Sequence, residues 1–216
     1  MIEPTHILAV RHGQTAFNAS QRIQGHLDIG LDDTGRWQAE RLGAALADAG
    51  IAAIHSSDLA RARATAAPLA RLTGLPVALH AALRERHFGR FEGLGHAEIE
   101  ERFPDDARRW RQREPGFGPG GGESLTVFSA RVLAVFAQLA ELHRGQTIAV
   151  VAHGGVLDCL YRAAQGIELQ APRTWQLANA AVNRLLWTGE GFRVVGWDDR
   201  RHLEAGAGSG LEEIAA

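Results

Sequence analysis

Apolar positions along this chain follow two rhythms. Short runs such as "HILAV" (6–10) and "TIAVVA" (147–152) have the length and composition of buried strands. Between such runs lie longer stretches in which apolar residues recur at helical spacing. Asp32 is expected to cap a helix over "DTGRWQAERLGAALADAG", with Trp37, Leu42 and Leu46 on its apolar side and Gly50 as its stop. "IAAIHSS" reads as a strand, and Asp58 as the cap of an Ala-rich helix ending at Gly74. "PVALH" is a further short strand. The region from Leu83 to Gly122 is less regular, with a helix from His96 to about Arg113, interrupted at Pro104, and then the loop "EPGFGPGGGES". Ser124 is expected to cap a long apolar helix. "TIAVVAHGG" and "VLDCLYRAAQG" follow as strand and helix, then "AAVNRLLWT" and "FRVVGWDD" as strands, then the tail "EAGAGSGLEEIAA". Such alternation predicts a three-layer α/β/α sandwich around a mostly parallel sheet.

Composition narrows the picture. The 216 residues hold no Pro-rich, Ser-rich or charge-run linker, and they suit one domain with an inserted segment. We read 1–203 as that domain, 84–122 as an insertion covering the substrate, and 204–216 as a tail. A formal net charge of -2 gives no reason to expect nucleic acid or an anionic membrane as partner. The single cysteine, Cys159, excludes an intrachain disulfide, and the opening "MIEPTHILAV" resembles neither a signal peptide nor a membrane span. A cytoplasmic protein is expected, with a homodimer left open.

Two strand ends carry the candidate chemistry. "HILAV" runs into Arg11-His12-Gly13, and "TIAVVA" runs into His153-Gly154-Gly155 directly before a helix. Ligands in open α/β sheets sit outside the carboxyl ends of strands. Gly13 would let the backbone approach a ligand, and the helix start after His153 favours an anion. Arg11 adds a fork that matches phosphate oxygens. No H-x-x-x-H or H-E-x-x-H motif and no cysteine pair is present, and cationic neighbours oppose a metal ion. Cys159 lies in an apolar helical stretch and reads as a structural thiol.

Several blocks carry a family resemblance over nearly the whole chain. "RHGQTAFN" resembles the nucleophile motif of the histidine phosphatase (phosphoglycerate mutase-like) superfamily. "RIQGHLDIGLDDTGRWQA" resembles the loop and helix that follow it. "SSDLARARATA" is similar to the segment that singles out Arg61 and not Arg63, and "LRERHFGRFEG" to the loop that points to Glu85. "GGESL", "VAHGGVL" and "NAAVNRLLW" continue the series in the family's order.

The resemblance implies a phosphoglycerate mutase-like fold and assigns roles. His12 would attack phosphorus and form a phosphohistidine that water hydrolyses. Arg11, Arg61 and His153 would surround the phosphoryl group, and Glu85 would protonate the leaving alcohol. Asn18, Gln24, Gly25 and Gly154 would contact the substrate. The implied activity is a metal-independent phosphomonoester hydrolase that needs no cofactor and takes a small phosphorylated metabolite. A phosphoglycerate mutase-type isomerase is the second reading, since "ERHFG" resembles the mutases, and a non-catalytic phosphoryl-ligand binder is the third. Ser124 suits a helix cap as well as a ligand contact, and Glu123 reads as structural. Arg108, Arg109, Arg111 and Arg113 form either a solvated face or, in part, a cover over the site. Trp110 and Phe117 read as packing residues of the same segment, with lining of that cover as the alternative.

Overall fold

The computed structural model describes residues 3–204, so the tail beyond 204 lies outside the described residues. Strands β1 (Thr5–Arg11), β2 (Ile51–Ser57), β3 (Val77–His80), β4 (Thr147–Ala152), β5 (Val182–Trp187) and β6 (Phe192–Asp199) form one sheet in the order β3-β2-β4-β1-β5-β6. Every neighbouring pair from β3 to β1 is parallel; β5 alone runs against the rest.

The expected sandwich is present. Successive residues of β1 face opposite sides: Ile7 and Ala9 enter one core, Leu8 and Val10 the other. The first core is closed by α6 (Leu125–Leu142) and α7 (Gly154–Gln165), through Phe128, Val132, Phe136, Leu157 and Leu160. The second is closed by α2 (Asp33–Leu46) and α3 (Ala60–Thr73), through Leu42, Leu46, Ala62, Ala66 and Leu69. Each such large side chain contributes roughly 1.5–3 kcal/mol on burial. The high apolar content of α6 is accounted for by this packing. The smaller helices are α1 (Ala16–Ala19), α4 (His96–Arg102), α5 (Pro104–Arg111) and α8 (Arg201–Glu204). Glu204, expected in the tail, closes α8. The 84–122 segment builds a small core of its own from Phe91, Ile99 and Ala107, with Phe88, Phe103 and Trp110 packed on it.

Local signals behave as expected at most ends. Asp32 Oδ1 accepts from Gly35 N at 2.8 Å, Ser124 Oγ accepts from Val127 N at 3.2 Å, and Gly74 ends α3 at φ 73. Three expectations are corrected. Asp58 does not cap α3. Leu59 holds the cap position without a side-chain bond, and both Asp58 oxygens accept from Arg84, at 2.7 and 2.6 Å. Trp37 is 44% exposed, because five residues along a helix carry it away from the face of Leu42. Gly13 faces the backbone of Gly35, not a ligand: a Cβ there would stand 2.6 Å from Gly35 O.

One polar chain that runs from the buried His55 to the surface has a consequence for stability. His55 on β2 lies between His80 (Nδ1 to Nε2, 3.0 Å) and His143 (Nε2 to Nε2, 3.1 Å), and His143 Nδ1 reaches Gln146 Oε1 at 2.9 Å. The last acceptor fixes the direction of donation from His80 through His55 to Gln146. Burial, then His80 and His143, lowers the His55 pKa to about 4. The unfolded chain therefore binds a proton that the folded chain refuses between pH 6.5 and about 4, and stability falls as pH drops through that window. Thermal unfolding from pH 7.5 to 4.5 should show this fall in Tm, with a shallower slope in His55→Leu. Equal slopes would remove His55 from the account.

Candidate active site

The site begins where β1 and β4 stop level with each other, Arg11 opposite Ala152. His12 and His153 come next, and their ring centroids stand 5.2 Å apart. The His12 backbone is held on both sides: its N–H donates to Ala152 O at 2.9 Å, and its carbonyl accepts from Asn179 Nδ2 at 2.8 Å. On the ring, Nδ1 lies 2.7 Å from Gly13 O. A carbonyl only accepts, so Nδ1 is assigned the proton and Nε2 keeps its lone pair. Burial, then Arg61 and Arg11, holds His12 well below the usual imidazole range, with the Gly13 contact opposing. His153 is pushed down likewise, by burial first and then by Arg61, His12 and Arg11.

Two guanidiniums complete this corner. Arg11 donates through Nη1 to Leu177 O, and Arg61 through Nη1 and Nη2 to Leu27 O and Gly25 O, both at 2.8 Å. Desolvation lowers the pKa of Arg61 to about 10 and also that of Arg11. Nε of each is buried without a partner, as are both ring nitrogens of His153. Gly13 N donates to Thr65 Oγ1, which donates in turn to Arg61 O, so "ARATA" ties α3 to the loop after β1.

Glu85 is positioned by backbone. Its Oε2 accepts from Gly155 N at 2.9 Å in the first turn of α7, and its Oε1 from Arg86 N at 2.8 Å. A Cβ on Gly155 would stand 2.2 Å from Glu85 Oε1 and would have to displace that carboxylate. Asn18 and Gln24 are fixed through Thr15: Thr15 N donates to Asn18 Oδ1 at 3.1 Å, and Thr15 Oγ1 to Gln24 Oε1 at 3.0 Å.

A cavity of about 820 Å³ brings together Arg11, His12, Asn18, Gln24, Gly25, Arg61, Glu85 and Gly154. His153 is not on its wall; it is fully buried against His12. Arg111, Arg113 and Trp110 do line the cavity, whereas Arg108 and Arg109 pair with Asp105 and Glu114. Phe117 is buried under Arg109, whose guanidinium lies 4.5 Å from the ring centre. Ser124 acts as a cap and does not reach the cavity. Glu123 is held by Arg131 and accepts from His87 N, a structural position. Cys159 touches the cavity as a thiol that burial raises to about 12, which leaves it protonated and inert. Among the described residues, no group of three or more His, Cys, Asp and Glu side chains converges as metal ligands would.

Four further residues matter here. Asn179 holds the His12 carbonyl and lies in "NAAVNRLLW", so its signal was present in the sequence. Arg86 is buried on the cavity wall and donates only to carbonyls, those of Glu123 (2.9 Å) and Phe117 (2.7 Å). Arg173 and Trp175 come from the irregular stretch between α7 and β5, which carries no periodicity to mark them.

Comparison with known proteins agrees with this geometry. Residues 7–200 match the histidine phosphatase superfamily (branch 1). Phosphoglycerate mutase-like protein 4 of Arabidopsis thaliana is 37% identical over 207 residues, covering 94% of this chain and 89% of its own. The metal-independent phosphoserine phosphatase of the same plant is 35% identical over 209 residues, covering 94% and 85%. Among solved structures, a mycobacterial glucosyl-3-phosphoglycerate phosphatase superposes with a TM-score of 0.80 at 32% identity, covering 93% of this chain and 100% of its own. With the match spanning both strand-end histidines and the sheet that sets them side by side, this chain belongs to branch 1 of the histidine phosphatase superfamily.

Proposed function

We propose that the chain hydrolyses phosphomonoesters of small metabolites through a phosphohistidine on His12. The observation that carries this reading is the geometry of His12: Nδ1 lies 2.7 Å from Gly13 O, an acceptor that leaves Nε2 its lone pair, and burial with Arg61 and Arg11 disfavours the imidazolium. An imidazole so arranged is a nucleophile and a poor anion ligand. The unpartnered Nε groups of Arg11 and Arg61 want acceptors, and a phosphoryl group supplies several, while His153 backs His12 from behind the cavity wall. Charge that grows on its equatorial oxygens is then met by fixed donors, which is most of what phosphoryl transfer asks of a protein. Asn18, Gln24 and Gly154 would add hydrogen bonds to the same oxygens. Glu85 would give its proton to the departing alkoxide and take one from the water that cleaves the phosphohistidine. These cationic groups carry the charge that a metal carries elsewhere, so EDTA should leave the rate unchanged and vanadate should inhibit.

The resemblance of "ERHFG" to the mutases keeps isomerisation as the second reading. The Gly-rich stretch between Arg113 and Ser124 reads as a loop, and glycine makes such loops costly to order. Instead it is pinned: Arg90 N donates to Gly120 O, Glu123 N to His87 O, and Phe117 is buried. Its packing therefore does not argue against water exclusion. Hydrolysis is favoured by the rim, where Arg111, Pro172, Arg173 and Gln176 are exposed and leave water a route to the cavity. The test supplies 3-phosphoglycerate with a trace of 2,3-bisphosphoglycerate, beside a panel of unrelated monoesters. Phosphate release across the panel with little 2-phosphoglycerate is the expected result. Isomerisation faster than hydrolysis by orders of magnitude would establish the mutase instead.

A further inference from the structure

Glu92 lies outside the set of residues assigned to the chemistry, and it is not on the cavity wall. Yet its carboxylate joins the two loops that carry that chemistry. Glu92 Oε1 accepts from His26 N at 3.0 Å and from Phe88 N at 2.9 Å. The first donor belongs to the loop of Gln24, Gly25 and Leu27, two of whose carbonyls orient Arg61. The second belongs to the loop that begins at Glu85. The side chain is 10% exposed, so water competes little for these bonds.

The fit on the first loop is close. Gly25 has φ +52, and a Cβ there would stand 2.1 Å from Glu92 Oε1. The carboxylate thus rests on the Gly25 backbone, whose carbonyl receives Arg61 Nη2. It also favours the charged form of Arg61, which burial opposes. On the other side, His26 Nε2 lies 2.9 Å from Glu85 O, a carbonyl that only accepts, so a loop held by Glu92 in turn holds the Glu85 backbone. His87 Nε2 stands 3.7 Å from the same Oε1.

We propose that Glu92 is a positioning residue that sets Arg61 and Glu85 in register, through a single carboxylate oxygen shared by Gly25-His26 on one side and Phe88 on the other. This rests on the phosphatase reading for the roles of Arg61 and Glu85. Its action is geometric: it keeps the guanidinium that faces the phosphoryl group and the acid that faces the leaving group at a fixed separation. A misplacement of about 1 Å at such a site costs on the order of 10²-fold in rate.

The test compares Glu92→Ala and Glu92→Gln with the wild type, each checked for Tm. Vanadate binding is measured directly by calorimetry, and kcat/KM with p-nitrophenyl phosphate and with an alkyl phosphate. Glu92→Ala should bind vanadate about 10-fold more weakly, because Arg61 is released. It should lose about 10-fold on the aryl ester and about 100-fold on the alkyl ester, where Glu85 is also needed. Glu92→Gln keeps an acceptor oxygen for both N–H groups and should stay within about threefold of wild type on every measure. Should Glu92→Ala not accumulate as folded protein, Gly25→Ala disturbs the same contact from the other side and should give the same pattern. Wild-type vanadate affinity in the alanine variant, equal loss on the two esters, or no rescue by glutamine would overturn the proposal. Vanadate binding needs no turnover. A wild type that binds vanadate yet hydrolyses nothing would therefore defeat the phosphatase reading while still reporting on Glu92.

Discussion

Replacing His12 by alanine is expected to remove turnover, with a loss on the order of 10⁵-fold in kcat. Arg11 and Arg61 would remain to bind phosphate, but no atom would be left to accept it. The fold should survive, because the His12 backbone makes its bonds to Ala152 and Asn179 without the ring. A rapid acid-avoiding quench of the wild type during turnover should trap phosphate on protein that is stable in base and labile in acid; the variant should trap none. The same residue is expected to govern the acid limb of the pH profile. Its pKa is lowered by burial and by Arg61 and Arg11, so Nε2 stays unprotonated well below pH 6.5. With p-nitrophenyl phosphate, whose leaving group needs no proton, kcat/KM corrected for substrate ionisation should hold steady through pH 6.5. A half-loss at that pH, or substantial turnover by His12→Ala, would dismiss the nucleophile.

Glu85→Gln carries the second large effect, and its size should depend on the substrate. An alkoxide is a poor leaving group and an aryl oxide a good one, so an acid matters for the first far more than for the second. We expect a loss of about 10² to 10⁴-fold with an alkyl phosphate. With the aryl ester some loss is also expected, for a structural reason. Each Glu85 oxygen accepts one backbone N–H, from Gly155 and from Arg86. A glutamine must turn its NH₂ toward one of these donors and forfeit that bond, a cost of about 1–3 kcal/mol shared between fold and site. The ratio of the two losses is therefore the diagnostic quantity, measured as kcat/KM for both esters in both proteins. A ratio near one would make Glu85 a strut for α7 and no acid.

Much of this was readable in advance where local chemistry and tertiary environment agree. Asp32, Ser124 and Gly74 act within one turn of their own backbone, so the structure keeps them in the expected roles. The convergence of Arg11, His12 and Glu85 on one cavity was legible because each belongs to a block whose order along the chain is informative. Asp58 was misread because a carboxylate that can cap can also accept from a distant arginine, and Arg84 wins. Gly13 was read as serving a ligand, when the close neighbour is the backbone of α2. The Gly-rich segment reads only as a loop in sequence and is pinned by partners dozens of residues away. Arg173 and Trp175 had no local pattern to announce them; only the closing of the irregular stretch over the cavity brings them there.

The placement of His12 beside His153 follows from β1 and β4 being nearest neighbours in the sheet. Their separation is then close to the interstrand repeat of about 4.8 Å, a spacing set by backbone hydrogen bonds and indifferent to the side chains themselves. It also gives catalysis a place in the order of folding. The two strands come from the first and last thirds of the sequence and pair in parallel, a long-range step that is intrinsically slow. Helices α2, α3 and α6 draw on local contacts and have no such delay. Recovered activity after dilution from denaturant thus dates the joining of the first and last thirds of the chain, and a circular dichroism signal dates something earlier.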